Sequence, residues 1–140
     1  VNPELVHLEG GGAGGGLGAA LVAFAKGEIA SGIDTCLDLI DFDRRVKDAS
    51  LVIVGEGKMD AQSLAGKAPI GVARRVKGGV PVVAICGSLG GDLPDLTSYG
   101  IVATFSALQR LMSWQELQQT SFEQLVESSK NIARLLNLNL

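Results

Sequence analysis

Apolar and polar positions fall into blocks along this chain. Three short runs are apolar at nearly every position: Leu51–Val54, Pro81–Cys86 and Ile101–Ser106. Continuous apolar runs of this length, separated by helical patterns, predict parallel strands buried on both faces. The stretch Ser63–Lys77 predicts a helix between the first two strands. A shorter helix near Leu93–Tyr99, ending at Gly100, is expected before the third. Residues 31–48 predict one or two more helices, with Asp43 as a cap ahead of Arg44–Lys47. Met112–Leu138 reads as a helix whose start is marked by Ser113. Glu116, three residues on, completes a capping box. Its apolar stripe of Leu125, Ile132, Leu135 and Leu136 predicts packing on the sheet. On the amino-terminal side, Gly10–Gly18 predicts a flexible loop feeding an apolar helix from Ala19. The pattern predicts an α/β fold: a parallel sheet of at least three strands with helices on both faces.

Composition supports one α/β domain. The chain has 140 residues, 46% of them hydrophobic, which is enough for a core. Aromatics make up only 4%, and 19 residues are glycine, so small side chains set the packing. No run of about 20 apolar residues occurs, and no membrane partner is expected. A net charge of −3 argues against a nucleic-acid surface. Arg74, Arg75 and Lys77 form the only basic cluster and are spaced as a helix's solvent face. Cys36 and Cys86 lie far apart, in apolar surroundings and without metal spacing, which predicts buried free thiols in a reducing compartment. Residues 1–9 lack the apolar centre of a signal peptide, so a cytoplasmic location is expected. The chain opens on Val1-Asn2-Pro3 rather than Met, which fits a piece of a longer protein.

The charge pattern changes the picture most after the first strand. Glu56, Lys58, Asp60, Gln62 and Lys67 lie within twelve residues, punctuated by Gly55, Gly57 and Gly66. In parallel α/β sheets ligands bind at the carboxyl ends of strands, so this stretch is the predicted site. Asp60 could accept a proton from a substrate hydroxyl, ligate magnesium, or cap the following helix. Lys67 follows Gly66 as in a phosphate-binding loop. Ala68 stands where that motif needs Ser or Thr, so Lys67 is either a point charge for a phosphate or a solvated lysine. Gly10-x-Gly12-x-x-Gly15 matches the dinucleotide fingerprint by letter, in a run where glycines satisfy it by accident. The same run could present backbone amides to an anion, or form a tight loop. Ser88 follows Cys86-Gly87 without the Gly-x-Ser-x-Gly elbow. His7 is the only histidine, so serine hydrolase chemistry is disfavoured.

Together these motifs resemble the glycerate kinases that use ATP. The similarity lies in Gly10–Leu21, in Val52–Lys77 with its Gly-Glu-Gly-Lys-Met-Asp-Ala-Gln and Gly-Lys-Ala-Pro-Ile-Gly-Val-Ala segments, and in Ala84–Leu89. It continues to the Asn131-Ile-Ala-Arg helix. The glycine loop departs mildly, with Gly-Gly-Gly-Ala-Gly-Gly-Gly where the family would have Gly-Ala-Gly-Ala-Ala-Gly-Gly. The resemblance implies a Rossmann-like sheet and the carboxyl-terminal portion of a longer, two-domain enzyme. It implies transfer of the γ-phosphoryl group of ATP to a hydroxyl of D-glycerate, with Mg2+. Phosphoryl transfer needs positioning and charge neutralisation more than covalent chemistry. On this reading Asp60 and Lys67 are catalytic, and Glu56, Lys58 and Gln62 bind substrate. Gly11, Gly12, Gly14, Gly15 and Ser88 bind the nucleotide phosphates. The partners implied are glycerate, ATP and the remaining amino-terminal portion of the parent chain. Two other readings stay open: a non-catalytic module that binds an anionic metabolite, and an oxidoreductase using the glycine run.

Overall fold

A computed structural model describes Leu5 and residues 7–138. The chain divides into two compact units, Val1–Cys36 and Leu37–Leu140. The elements in order are α1 (Ala13–Ala25), α2 (Gly32–Leu39), α3 (Phe42–Val46), β1 (Val52–Met59), α4 (Ala68–Arg75), β2 (Val82–Leu89), β3 (Ile101–Ser106) and α5 (Trp114–Leu136). Short 3-10 turns at Ala61–Ala65 and Thr97–Tyr99 precede α4 and β3.

In the first unit the glycine run folds back on the start of α1. The Ala19 amide donates to the Gly11 carbonyl, and the Gly11 amide to Leu8. Gly14, Gly15 and Gly16 are all left-handed, with φ of 60°, 70° and 90°, so regular helix begins only after them. No strand precedes this run among the described residues, which removes the βα context a dinucleotide fingerprint needs.

The second unit holds one parallel sheet in the order β1-β2-β3. All three expected strands are present and parallel. One sheet face packs against α4: Val54, Val82, Ala84, Cys86 and Ile101 meet Ile70, Ala73 and Leu96 in the main core. The alternate positions Val83 and Ile85 are buried on the other face, where α5 lies. The Ser128 hydroxyl of α5 donates to the Ser106 carbonyl at the end of β3 (3.3 Å). Helices therefore lie on both faces, α5 covering the centre of its face while Ile53 of β1 and Val102 of β3 stay more than half exposed. No helix among the described residues is long and apolar enough to cross a membrane.

Five local expectations of secondary structure and capping are corrected, and of the two thiols expected to be buried Cys86 is buried while Cys36 is exposed. First, β1 does not stop at Val54. It continues through Gly55-Glu56-Gly57-Lys58 to Met59, because β2 also extends, and the two extensions pair in register. Tertiary pairing outweighs the poor strand propensity of those residues. Second, the helix expected over Ser63–Lys77 is broken. Gly66 adopts φ 96°, closing the 3-10 turn before α4 begins with Pro69 in its first turn. Third, only Thr97–Tyr99 is helical in the next connection, because Asp95 captures the Thr97 amide and hydroxyl in a local turn. Fourth, Asp43 is not a cap. It lies inside the first turn of α3 and binds Arg75 of α4. At α5 the Ser113 hydroxyl does accept the Glu116 amide, but the Glu116 carboxylate turns to Arg110 instead of closing the capping box.

Arg75 ties α4 to the helices that precede the sheet. Its Nε donates to Asp43 at 2.8 Å, and a terminal nitrogen donates to Asp38 at 2.6 Å. The guanidinium hydrogen bond holds the Asp43 carboxyl below its ordinary value of 3.8. A carboxylate whose folded pKa is depressed contributes stability above its unfolded pKa and loses it as pH falls through the folded value. Arg75→Ala should therefore lower the thermal midpoint at pH 7. The gap from wild type should shrink below about pH 4 as Asp43 protonates, and melts across that range measure it. A gap that persists undiminished at pH 2 would assign the loss to Arg75 packing rather than to the ion pair.

Candidate active site

The paired extensions of β1 and β2 bring three of the sequence-predicted residues, Lys58, Asp60 and Ser88, to one edge of the sheet. Lys58 stands opposite Ser88 in the register, and Met59 opposite Leu89. The chain then turns at Asp60, whose side chain is only 13% exposed while that of Lys58 is 62% exposed. Asp60 is a cap. Its Oδ1 accepts the Gln62 amide at 3.2 Å, while its own amide donates to the Ser63 hydroxyl at 3.2 Å. The other oxygen is free of that duty and accepts from Lys58 Nζ at 3.1 Å. Capping therefore occupies one carboxylate oxygen and leaves the other for the contact with Lys58.

Electrostatics fix the state of this group. Hydrogen bonding from Lys58 is the main cause holding the Asp60 carboxyl below its ordinary value. The nearby charge of Lys67 and the Gln62 amide add to it. Asp60 is therefore an anion at neutral pH, ready to accept a hydrogen bond. Lys58 spends one of its three N–H donors on Asp60 and keeps two.

The second strand's end closes over this turn. The Gly90 amide donates to the Met59 carbonyl at 2.7 Å. A Cβ on Gly90 would lie 2.6 Å from Asp92 Oδ1 and 2.7 Å from Asp60 Cβ, so the two acidic residues meet beside a position with room only for glycine. Asp92 had no place in the sequence reading. The signal available was its position after Gly90-Gly91 at a strand's carboxyl end.

Two neighbouring cavities open beside these strand ends. One of about 670 Å³ is lined by Gly57, Lys58, Gly87, Ser88, Trp114 and Gln118, among others. The other, of about 650 Å³, runs along Gly55, Glu56, Ile85 and Phe122. Residues of α5 form a wall of each, a contribution that sequence reasoning missed. Glu56 stands apart from the Lys58–Asp60 pair: its carboxylate accepts its neighbour's amide, that of Gly57, at 3.3 Å. It faces Cys86, whose thiol is pushed up by burial and stays neutral. Gln62 contributes its backbone amide to Asp60. Gly11, Gly12, Gly14 and Gly15 belong to the other compact unit, at the start of α1.

The chain matches the family model described as the glycerate kinase family over residues 1–137. It is 55% identical to a glycerate kinase of Neisseria meningitidis serogroup B over 99% of its own length and 37% of that protein. It is 39% identical to the glycerate 2-kinase of Escherichia coli K12, over 98% of this chain and 36% of that one. A solved structure described as a glycerate kinase 2 of Salmonella typhimurium LT2 superposes with a TM-score of 0.65 at 37% identity. It covers 91% of this chain and 32% of that one. The chain thus spans a little over a third of the length of the curated relatives it matches. A family match along nearly every residue, relatives at this identity and a similar solved fold agree: the chain belongs to the glycerate kinase family.

Proposed function

We propose that this chain supplies the sheet-edge site of a longer, cytoplasmic glycerate kinase, which transfers the γ-phosphoryl group of ATP to a hydroxyl of D-glycerate. The observation that carries the reading is the Lys58–Asp60 pair at the carboxyl ends of β1 and β2, 3.1 Å apart beside an open cavity. Lys58 offers its two remaining donors to the glycerate carboxylate. Asp60, already ionised, accepts a hydrogen bond from the attacking hydroxyl and aims it. A loose phosphoryl-transfer transition state asks for such orientation more than for early proton removal. Its depressed pKa favours this role over that of a strong base. Glu56 and Gln62 would complete the glycerate pocket, and Ser88 would donate to a phosphate. The amides of Gly11, Gly12, Gly14 and Gly15 are assigned to phosphate oxygens as well. The absence of side chains lets an anion approach these amides closely, which supports that assignment.

Mg2+ belongs to the same proposal. The ion is usually held by one or two carboxylates together with substrate phosphates. Asp60 and Asp92, which meet beside Gly90, are the residues that would hold it. When bound it would neutralise charge on the phosphates.

The test is an ATP-consumption assay, with and without D-glycerate, on the full-length enzyme and on the 140-residue chain. Glycerate-dependent ADP formation is expected from the full-length enzyme only, because a cleft enzyme needs both walls to align its substrates. No glycerate-dependent turnover in the full-length enzyme would reject the reading. Lys67 allows a narrower check. It occupies the N-cap of α4 without a side-chain cap bond, at a helix end where a cation is locally disfavoured unless an anion is near. Lys67→Ala should raise the KM for ATP and leave the thermal midpoint unchanged. An unaltered KM for ATP returns Lys67 to the solvated surface.

A further inference from the structure

The carboxyl-edge cavity has a wall that neither glycerate nor phosphate explains. Trp114, the chain's single tryptophan, is 72% exposed at the first turn of α5. Leu117, Gln118 and Ser121 follow it along the cavity. Their spacing of three, four and seven residues puts all four side chains on one face of the helix. The facing floor is bare backbone. Gly57 and Gly87 approach so closely that a Cβ on Gly87 would lie 2.5 Å from the Gly57 carbonyl oxygen. Lys58, which binds Asp60, and Ser88 also line the cavity. The cavity, of about 670 Å³, is therefore lined by an aromatic, mostly apolar helix face together with a lysine and a serine. D-Glycerate is small and polar throughout, and offers nothing to cover an indole.

Resting on the kinase reading above, we propose that Trp114 is the stacking platform for the purine ring of ATP. Leu117 flanks the ring, and Gln118 and Ser121 offer hydrogen bonds to its edge. Ser88 then faces the phosphates of the same molecule. A ligand with a planar, apolar part and an anionic part suits a lining that combines an indole with polar groups. Stacking on an aromatic side chain is tolerant of base identity, so the polar groups of Gln118 and Ser121 would supply any preference among bases.

The test uses the full-length enzyme with Trp114→Leu and Trp114→Phe variants. The fluorescence difference between wild type and Trp114→Phe isolates this one indole. ATP and adenosine are expected to quench that difference signal, while inorganic tripolyphosphate and D-glycerate leave it unchanged. Trp114→Leu should raise the KM for ATP by about tenfold or more, the size expected for losing one base–aromatic stack. The KM for D-glycerate should hold, and Trp114→Phe should recover most of the loss. An unchanged KM for ATP in an active Trp114→Leu enzyme overturns the proposal and leaves the kinase reading standing. A response to tripolyphosphate equal to that of ATP also overturns it, by assigning the indole to the phosphate end. A lowered thermal midpoint with no response to adenosine would show that another part of the parent chain covers Trp114. If the wild-type enzyme itself shows no glycerate-dependent turnover, the kinase reading fails, and adenosine quenching alone decides whether the platform exists.

Discussion

Asp60→Asn in the full-length enzyme is expected to lower kcat by about 10²-fold or more, the size of effect expected when an attacking group is no longer aimed. KM for either substrate should move far less, because the interaction strengthens in the transition state. The structure makes this a clean substitution. Asn keeps an oxygen for the Gln62 amide and caps about as well as Asp, so the turn before α4 survives. What it removes is the negative charge that Lys58 now holds at 3.1 Å. Steady-state kinetics with a thermal melt on the same preparation separate the outcomes. A folded variant with near-normal kcat would leave Asp60 as a helix cap and nothing more.

The second large effect is on stability. Gly87→Ala places a Cβ 2.5 Å from the Gly57 carbonyl oxygen, where the obstacle is backbone on the neighbouring strand and cannot rotate away. Overpacking of this kind costs about 1–3 kcal/mol, and the ladder that carries Lys58 and Ser88 must spread to accept it. Gly91→Ala is the control, because nothing lies within 4 Å of a Cβ there and its backbone is not left-handed. Urea unfolding should show a lower midpoint for Gly87→Ala and none of that loss for Gly91→Ala. Equal stabilities would mean that the two strands do not meet as closely as described.

How far the sequence could be read depended on whether the cause was local. The apolar runs at Val52–Val54, Val82–Cys86 and Ile101–Ser106 declared their strands, and Ser113 declared the start of α5 through its own amide contact three residues on. The extension of β1 through Gly55–Met59 could not be read, since its only cause is pairing with a strand thirty residues away. Asp43 looked like a cap because nothing nearby announced Arg75, 32 positions later. The Lys58–Asp60 neighbourhood was legible as a concentration of polar residues between glycines. The contributions of Asp92 and Trp114 were not, because each depends on an element that reaches the site only after the sheet has formed.

Glu56 and Lys58 lie in a hydrogen-bonded strand rather than in a loop, and this bears on the cost of recognition. Ordering a loop residue as a ligand arrives costs about 1–2 kcal/mol of backbone entropy. Here that cost is met when the sheet assembles, so binding meets a preorganised surface and keeps more of its contact energy. The same arrangement restricts variation. A one-residue slip of β1 against β2 would turn Lys58 toward the opposite face and away from Ser88. Insertions and deletions between Val52 and Met59 should therefore be excluded as firmly as they are from the apolar centre of the sheet.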